Sequence, residues 1–274
     1  MDPRTRDGEL IPAAHDPRFE RVFAWYTRRL VRRSWHALRL ERSGLDLARE
    51  LNTIDGPLIL LTNHIGWWDP LIVFELRRMF WSQRRGIAPM DAAQLRRFRF
   101  MRKIGIFGID PDDSSSMPPM LSYIAGFFAS HDRPTLCITP QGRFADPRES
   151  IQLRPGAAAV AAATPGITLA ALSIEYAFWQ DRKPEALLRL VRVPTPKVPS
   201  TSGWLRAMSS AMQANAQALS ALVIARDESS FELLTGSGSS INPIYDLILR
   251  LRSRHGPIPS HRNAHPPPHL PRSA

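Results

Sequence analysis

The run Pro57-Leu58-Ile59-Leu60-Leu61-Thr62-Asn63-His64-Ile65-Gly66-Trp67-Trp68-Asp69-Pro70 decides the reading of this chain. Its apolar start is short and unbroken, as in a strand buried on both faces of a sheet. Residues Asp69 to Phe80 read as a helix, so the polar residues between fall in a strand-to-helix loop. Loops of that kind, at the carboxyl edge of an α/β sheet, are where such proteins hold ligands. His64 and Asp69 stand five positions apart in it. A neutral histidine can take a proton from a hydroxyl near pH 7, and a carboxylate can hold its other ring nitrogen. The pair reads as hydroxyl-activating, or as a helix-capping Asp69 beside a structural His64.

Working outward, strand-like and helix-like segments alternate. Gly86–Met90, Gly105–Ile109, Thr135–Thr139, Ile167–Ala177 and Leu187–Val193 read as strands. Asp91–Lys103 with Asp91 as cap, Met117–Ser130, Pro155–Ala163 with proline in its first turn, and Ser200–Arg226 read as helices. The alternation predicts an α/β fold with a central sheet flanked by helices. Upstream, Arg18–Leu40 reads as one amphipathic helix, with Phe19, Val22, Phe23, Tyr26 and Leu30 recurring at helical steps. Arg21, Arg28, Arg29, Arg32 and Arg33 interleave with them, which suits either a lipid interface or a packing helix with a solvated face. Residues 1–15 read as a flexible start and 16–230 as the main domain. Residues 231–274 read as a linker around Gly236–Ser240, a short helix Tyr245–Arg252 and a disordered His/Pro-rich tail.

The chain has 274 residues and a formal charge of +11. That charge speaks to partners, favouring anionic lipid, a phosphate-bearing donor or nucleic acid. Zinc-finger spacing and RNA-binding aromatic motifs are absent, which argues against nucleic acid. The start Met1-Asp2-Pro3-Arg4 is unlike a signal peptide. No apolar stretch reaches the ~18 residues of a spanning helix, so a membrane would be touched at its cytoplasmic face and not crossed. The single cysteine, Cys137, lies in an apolar run and reads as core. His255, His261, His265 and His269 show no fixed ligand spacing, and no metal site is read here.

Asn63, His64 and Asp69 match the Asn-His-x4-Asp block of the glycerolipid and lysophospholipid acyltransferases, which this chain resembles in three further places. Gly105-Ile106-Phe107-Gly108-Ile109-Asp110-Pro111 is similar to the second block, and Thr139-Pro140-Gln141-Gly142-Arg143-Phe144-Ala145 to the third. Ile167–Ile174 resembles the fourth, with Ala171 where proline is usual. The order and separations agree over roughly residues 55–180. The resemblance implies transfer of a fatty acyl group from acyl-coenzyme A or acyl carrier protein to a lipid hydroxyl, with no resident cofactor. It implies His64 as general base, Asp69 as its partner, and substrate contacts from Asn63, Pro140, Gln141, Gly142 and Arg143, Gly142 allowing close approach. The other reading is a catalytically weak lipid-binding relative.

The departures point to the acceptor. The family's phosphate-binding arginines are replaced by Pro111 and Phe144, and the third-block glutamate by Gln141. Neither replacement can fork onto a phosphate, so the acceptor is expected to be a lipid alcohol such as a glycolipid or glycosylated isoprenoid, not a simple glycerol phosphate. Arg143 stands one place early. Of Trp67 and Trp68, one is expected in the core and one beside a substrate channel. Glu175 is expected to form a structural salt bridge, or to supply the acid missing at Gln141. Arg96–Lys103 reads as a headgroup or donor contact, or as a solvated face.

Overall fold

The computed structural model describes residues 10–236 except Gln180. The helices are α1 (Pro17–Ser34), α2 (Gly44–Thr53), α3 (Asp69–Phe80), α4 (Ala92–Arg97), α5 (Met117–Ala129), α6 (Gly156–Ala162) and α7 (Thr201–Ala225). The strands are β1 (Ala37–Glu41), β2 (Leu58–Thr62), β3 (Arg85–Asp91), β4 (Ile106–Ile109), β5 (Pro134–Ile138), β6 (Thr168–Ala177), β7 (Glu185–Arg192) and β8 (Phe231–Gly236). They form one sheet in the order β4-β3-β5-β2-β6-β7-β1-β8. From β4 to β6 every neighbouring pair is parallel; β7 runs antiparallel to β6, and β8 antiparallel to β1.

All of β2 is buried, because helices cover both faces of the sheet and alternate side chains enter different cores. Ile59 and Leu61 pack with Met120 and Ile124 of α5, the alanines of α6, and Trp204, Met208 and Met212 of α7. Leu58 and Leu60 pack with Val31 of α1, Leu51 of α2, and Ile72 and Leu76 of α3. The sheet is thus the middle layer of three. The chain leaves β5 on one side of β2 and returns as β6 on the other, so the loop after β2 lies at the switch point of the parallel section.

Several expectations need correction. The helix read as Arg18–Leu40 ends at Ser34, and the rest turns extended at Trp35 and enters β1. Leu38 and Leu40 are two apart and both fully buried in the sheet, a strand period where a helical one was read. Helix α2 was not anticipated. Asp91 does cap α4 through Gln94, but the expected helix breaks at Phe98 into a 3-10 segment, Arg99–Ile104. Residues 231–236, read as linker, form edge strand β8, with Phe231 buried and Glu232 paired to Arg42 at 2.6 Å.

The described part of the stretch read as a flexible start is likewise held. Ile11 exchanges two backbone hydrogen bonds with Gly108, and the Ala13 amide donates to the Tyr123 hydroxyl at 3.0 Å. Gly105 turns at φ +96°, where an added Cβ would stand 2.5 Å from the Gly86 carbonyl oxygen. The expected helix Tyr245–Arg252, the Ser237–Ser240 part of the connector and the His/Pro tail lie outside the described residues.

Candidate active site

The loop between β2 and α3 brings His64 and Asp69 together. His64 Nδ1 lies 2.8 Å from Asp69 Oδ2. The Ile65 and Gly66 amides donate to that same oxygen at 2.7 and 3.0 Å, so the carboxylate also shapes the loop carrying the histidine. Asp69 Oδ1 accepts from the Tyr176 hydroxyl at 2.6 Å. Only 1% of Asp69 is exposed, and these donors compensate the burial of its charge. A proton on Nδ1 leaves the Nε2 lone pair free to accept one from a substrate hydroxyl, which is the chemistry of a general base. The side chain does not cap α3, whose cap residue is Trp68.

The third block packs against the first. The Ala145 amide donates to the His64 carbonyl at 2.8 Å, and the Phe144 ring stands 4.3 Å from the His64 ring. Gly142 adopts φ +67°, and the space a Cβ would fill is taken by the Arg154 guanidinium, 2.7 Å from that point. The glycine therefore admits Arg154, where an acceptor was expected. Arg154 in turn bonds Asp112 at 2.9 Å and the Pro111 carbonyl, and its amide donates to the Pro140 carbonyl at 2.8 Å, tying the second and third blocks together.

The other expected substrate residues divide. Asn63 is buried, and its amide exchanges two 2.8 Å hydrogen bonds with the Ile174 backbone, clamping the loop to β6. Arg143 is exposed and paired with Glu149 at 2.7 Å. Gln141 is 8% exposed, and its Oε1 has no hydrogen-bond partner. It lines, with Asn63, Ala145 and Ile151, a narrow depression without room for a water molecule.

Trp68 packs edge-on against Trp35 at 5.4 Å, the packing role expected for one of the two tryptophans, whereas Trp67 is 59% exposed. Burial raises the Glu175 carboxyl above the usual range, against the pull of the Arg148 charge and the Ser220 hydroxyl, and among the described residues no ion pair within 4 Å is seen for it in place of the expected salt bridge. Burial lifts the Cys137 thiol to about 12, which keeps it inert. Among the described residues, no group of His, Cys, Asp and Glu side chains could hold a metal ion.

Two features escaped the sequence reading. Tyr176, the third partner of the pair, lies 107 positions from Asp69; its signal was its parity with Leu172 and Ile174 on β6. The second is a chain of rings that starts at His64. It runs from Phe144 to Trp67 (5.8 Å), Phe98 (6.3 Å) and Phe100 (6.5 Å), then to Phe19 and Phe23 on α1.

A sheet switch point carrying a His–Asp pair in this order of blocks defines a class, and comparison agrees: residues 39–175, half of the chain, match the Acyltransferase family model, and the chain belongs to that family. Its fold is similar to the crystal structure of the 1-acyl-sn-glycerophosphate (LPA) acyltransferase PlsC from Thermotoga maritima. The TM-score is 0.51, with 13% identity over 74% of this chain and 79% of that one, a likeness of fold. No curated protein matches the sequence.

Proposed function

We propose that this protein is an O-acyltransferase that moves a fatty acyl group from acyl-coenzyme A or acyl carrier protein onto a lipid hydroxyl, with no resident cofactor. The observation that carries the reading is His64 held at Nδ1 by buried Asp69, with Nε2 left to act. Nε2 takes the acceptor's hydroxyl proton as the oxygen attacks the thioester carbonyl. The tetrahedral intermediate collapses, the carbon–sulfur bond breaks, and the proton passes to the departing thiolate. No acyl-enzyme forms.

The acceptor is a lipid alcohol and not a simple glycerol phosphate. Arg143 is paired to Glu149, Arg154 to Asp112, and an apolar ring lies over His64 where a forked cation would meet phosphate. The buried, unpartnered Gln141 Oε1 supports recognition of a second acceptor hydroxyl once the depression beside it opens to substrate, since such an oxygen gains most from a ligand donor. The depression beside it is too narrow to admit even a water molecule, and so cannot hold an acyl chain. The lipid chain therefore lies along the exposed rings of Phe144 and Trp67.

That path leads to α1, whose outward face carries Trp25, Val22 and Tyr26 among Arg18, Arg21, Arg28, Arg29 and Arg32. Such a face suits the headgroup layer of an anionic membrane, and we place the protein peripherally at the cytoplasmic surface. Among the described residues, no helix is long and apolar enough to cross a membrane. Purified protein with long-chain acyl-coenzyme A, offered lysophosphatidate, glycerol 3-phosphate, monoacylglycerol and alkyl glycosides in vesicles, tests the reading. Preference for an uncharged lipid alcohol is expected, with at least ~10³-fold loss in His64→Ala. Preference for a phosphomonoester defeats the acceptor class, and full transfer by His64→Ala defeats the base.

A further inference from the structure

We propose that Tyr176 is a positioning residue for the His64–Asp69 pair: its hydroxyl fixes the second oxygen of Asp69 and sets how firmly the carboxylate holds the imidazole proton. The inference rests on the reading of His64 as the base. Asp69 Oδ2 meets His64 Nδ1 and two loop amides, while Oδ1 meets the Tyr176 hydroxyl at 2.6 Å. At 1% exposure, Oδ1 without that hydroxyl would be a buried charged oxygen short of a donor.

The hydroxyl is placed by a rigid element. Tyr176 pairs with Ala186 across the β6–β7 ladder. Its ring lies 4.6 Å from that of Trp35, which stands edge-on to Trp68, the residue immediately before Asp69. Packing against Trp35 thus fixes the ring whose hydroxyl meets Asp69 Oδ1, while His64 meets Oδ2. Burial, together with the adjoining Asp69 charge, holds the Tyr176 phenol well above its ordinary range, so it remains a donor wherever the histidine can act.

A donor on Oδ1 also draws charge from the carboxylate. Removing it leaves more charge at Oδ2, and the imidazolium proton is held more firmly; a stronger donor does the reverse. A residue that merely filled space would show neither change. The two directions together make the role measurable.

The test is a substrate-free NMR titration of protein carrying ¹³C-labelled histidine, with the His64 signal assigned by its loss in His64→Gln. Tyr176→Phe is expected to move the His64 midpoint up by about half a pH unit or more, and replacement of Tyr176 by 3-fluorotyrosine to move it down. With long-chain acyl-coenzyme A and the acceptor found in the panel above, kcat of Tyr176→Phe falls about tenfold while KM stays within about twofold. The acid limb of the rate profile follows the titration.

Unchanged midpoints in both variants overturn the proposal, even where thermal stability drops. If Tyr176→Phe does not fold, the fluorotyrosine protein carries the test alone. Full transfer by His64→Ala would defeat the base assignment and leave the titration result standing. Unmoved midpoints with an inactive His64→Ala defeat only the role of Tyr176.

Discussion

Phe144 stands at the position where the resemblance expects a phosphate-binding arginine, and its half-exposed ring covers one face of His64 at 4.3 Å. An arginine there would carry a forked cation into the space beside His64. Phe144→Arg is therefore expected to raise kcat/KM for lysophosphatidate about tenfold, the scale of one charge-assisted hydrogen bond. Turnover of the lipid alcohol proposed as acceptor should fall in the same assay. No gain with the phosphorylated acceptor would mean that the ring is not what excludes it. Gly142 offers a second test: Gly142→Ala would drive a methyl into Arg154 at a positive φ, loosening the second block from the third. A stability loss of about 1–2 kcal/mol in denaturant is expected. At this scale the sequence is legible where chemistry is local. His64 and Asp69 share a loop, so their spacing could be read directly. The clamping role of Asn63 was not legible because its partner, the Ile174 backbone, comes from β6, and a distant strand leaves no trace in a local motif.

Helix α1 begins where the sequence indicated. Asp16 Oδ1 accepts from the Arg18 and Phe19 amides, and Pro17 sits in the first turn. Phe23 turns inward and meets Phe74 of α3 edge-on at 5.3 Å. Trp25 remains outside at 65% exposure. Removing that ring and two neighbouring charges in Trp25→Ala/Arg28→Gln/Arg29→Gln touches no core contact. Flotation with phosphatidylserine vesicles should weaken ~10- to 100-fold, given about 1 kcal/mol for each basic residue at an anionic surface. The melting temperature should hold. Binding equal to that of the parent protein would assign α1 to packing alone. The misjudged elements have a common cause. Strands β1 and β8 are short and gain their hydrogen bonds from each other and from β7, nearly 150 to 200 positions apart in the chain. Over five residues, Ala37 to Glu41, apolar spacing fits a helix and a strand alike, and only the pairing decides.

Across the whole molecule, the groups that hold the sheet together and those that would do chemistry gather at opposite ends of the strands. The His–Asp pair and the third block follow the carboxyl ends of β2 and β5. At the amino ends, Arg84 is 97% buried by its 3% exposure, and its guanidinium donates to the carbonyls of Leu51, Ile54, Gly56 and Pro134 and to the Thr135 hydroxyl, at 2.7 to 3.0 Å. Burial lowers its pKa to about 10, still charged at neutral pH. One planar fork thereby serves the turn after α2 and the start of β5. Lysine has a single ammonium and cannot serve five acceptors spread around it. Arg84→Lys should cost about 2–4 kcal/mol in urea unfolding, through carbonyls left buried without donors. Its kcat and KM should stay near parental values well below the melting temperature, because the site lies across the sheet. A variant of full stability would show that the carbonyls find other donors; one with altered KM would show that strain crosses the sheet. In the sequence, Arg84 stands in Gln83-Arg84-Arg85 between α3 and β3, where nothing local marks it out from its neighbour. What sets it apart is the set of backbone carbonyls converging on it, which side-chain patterning does not encode.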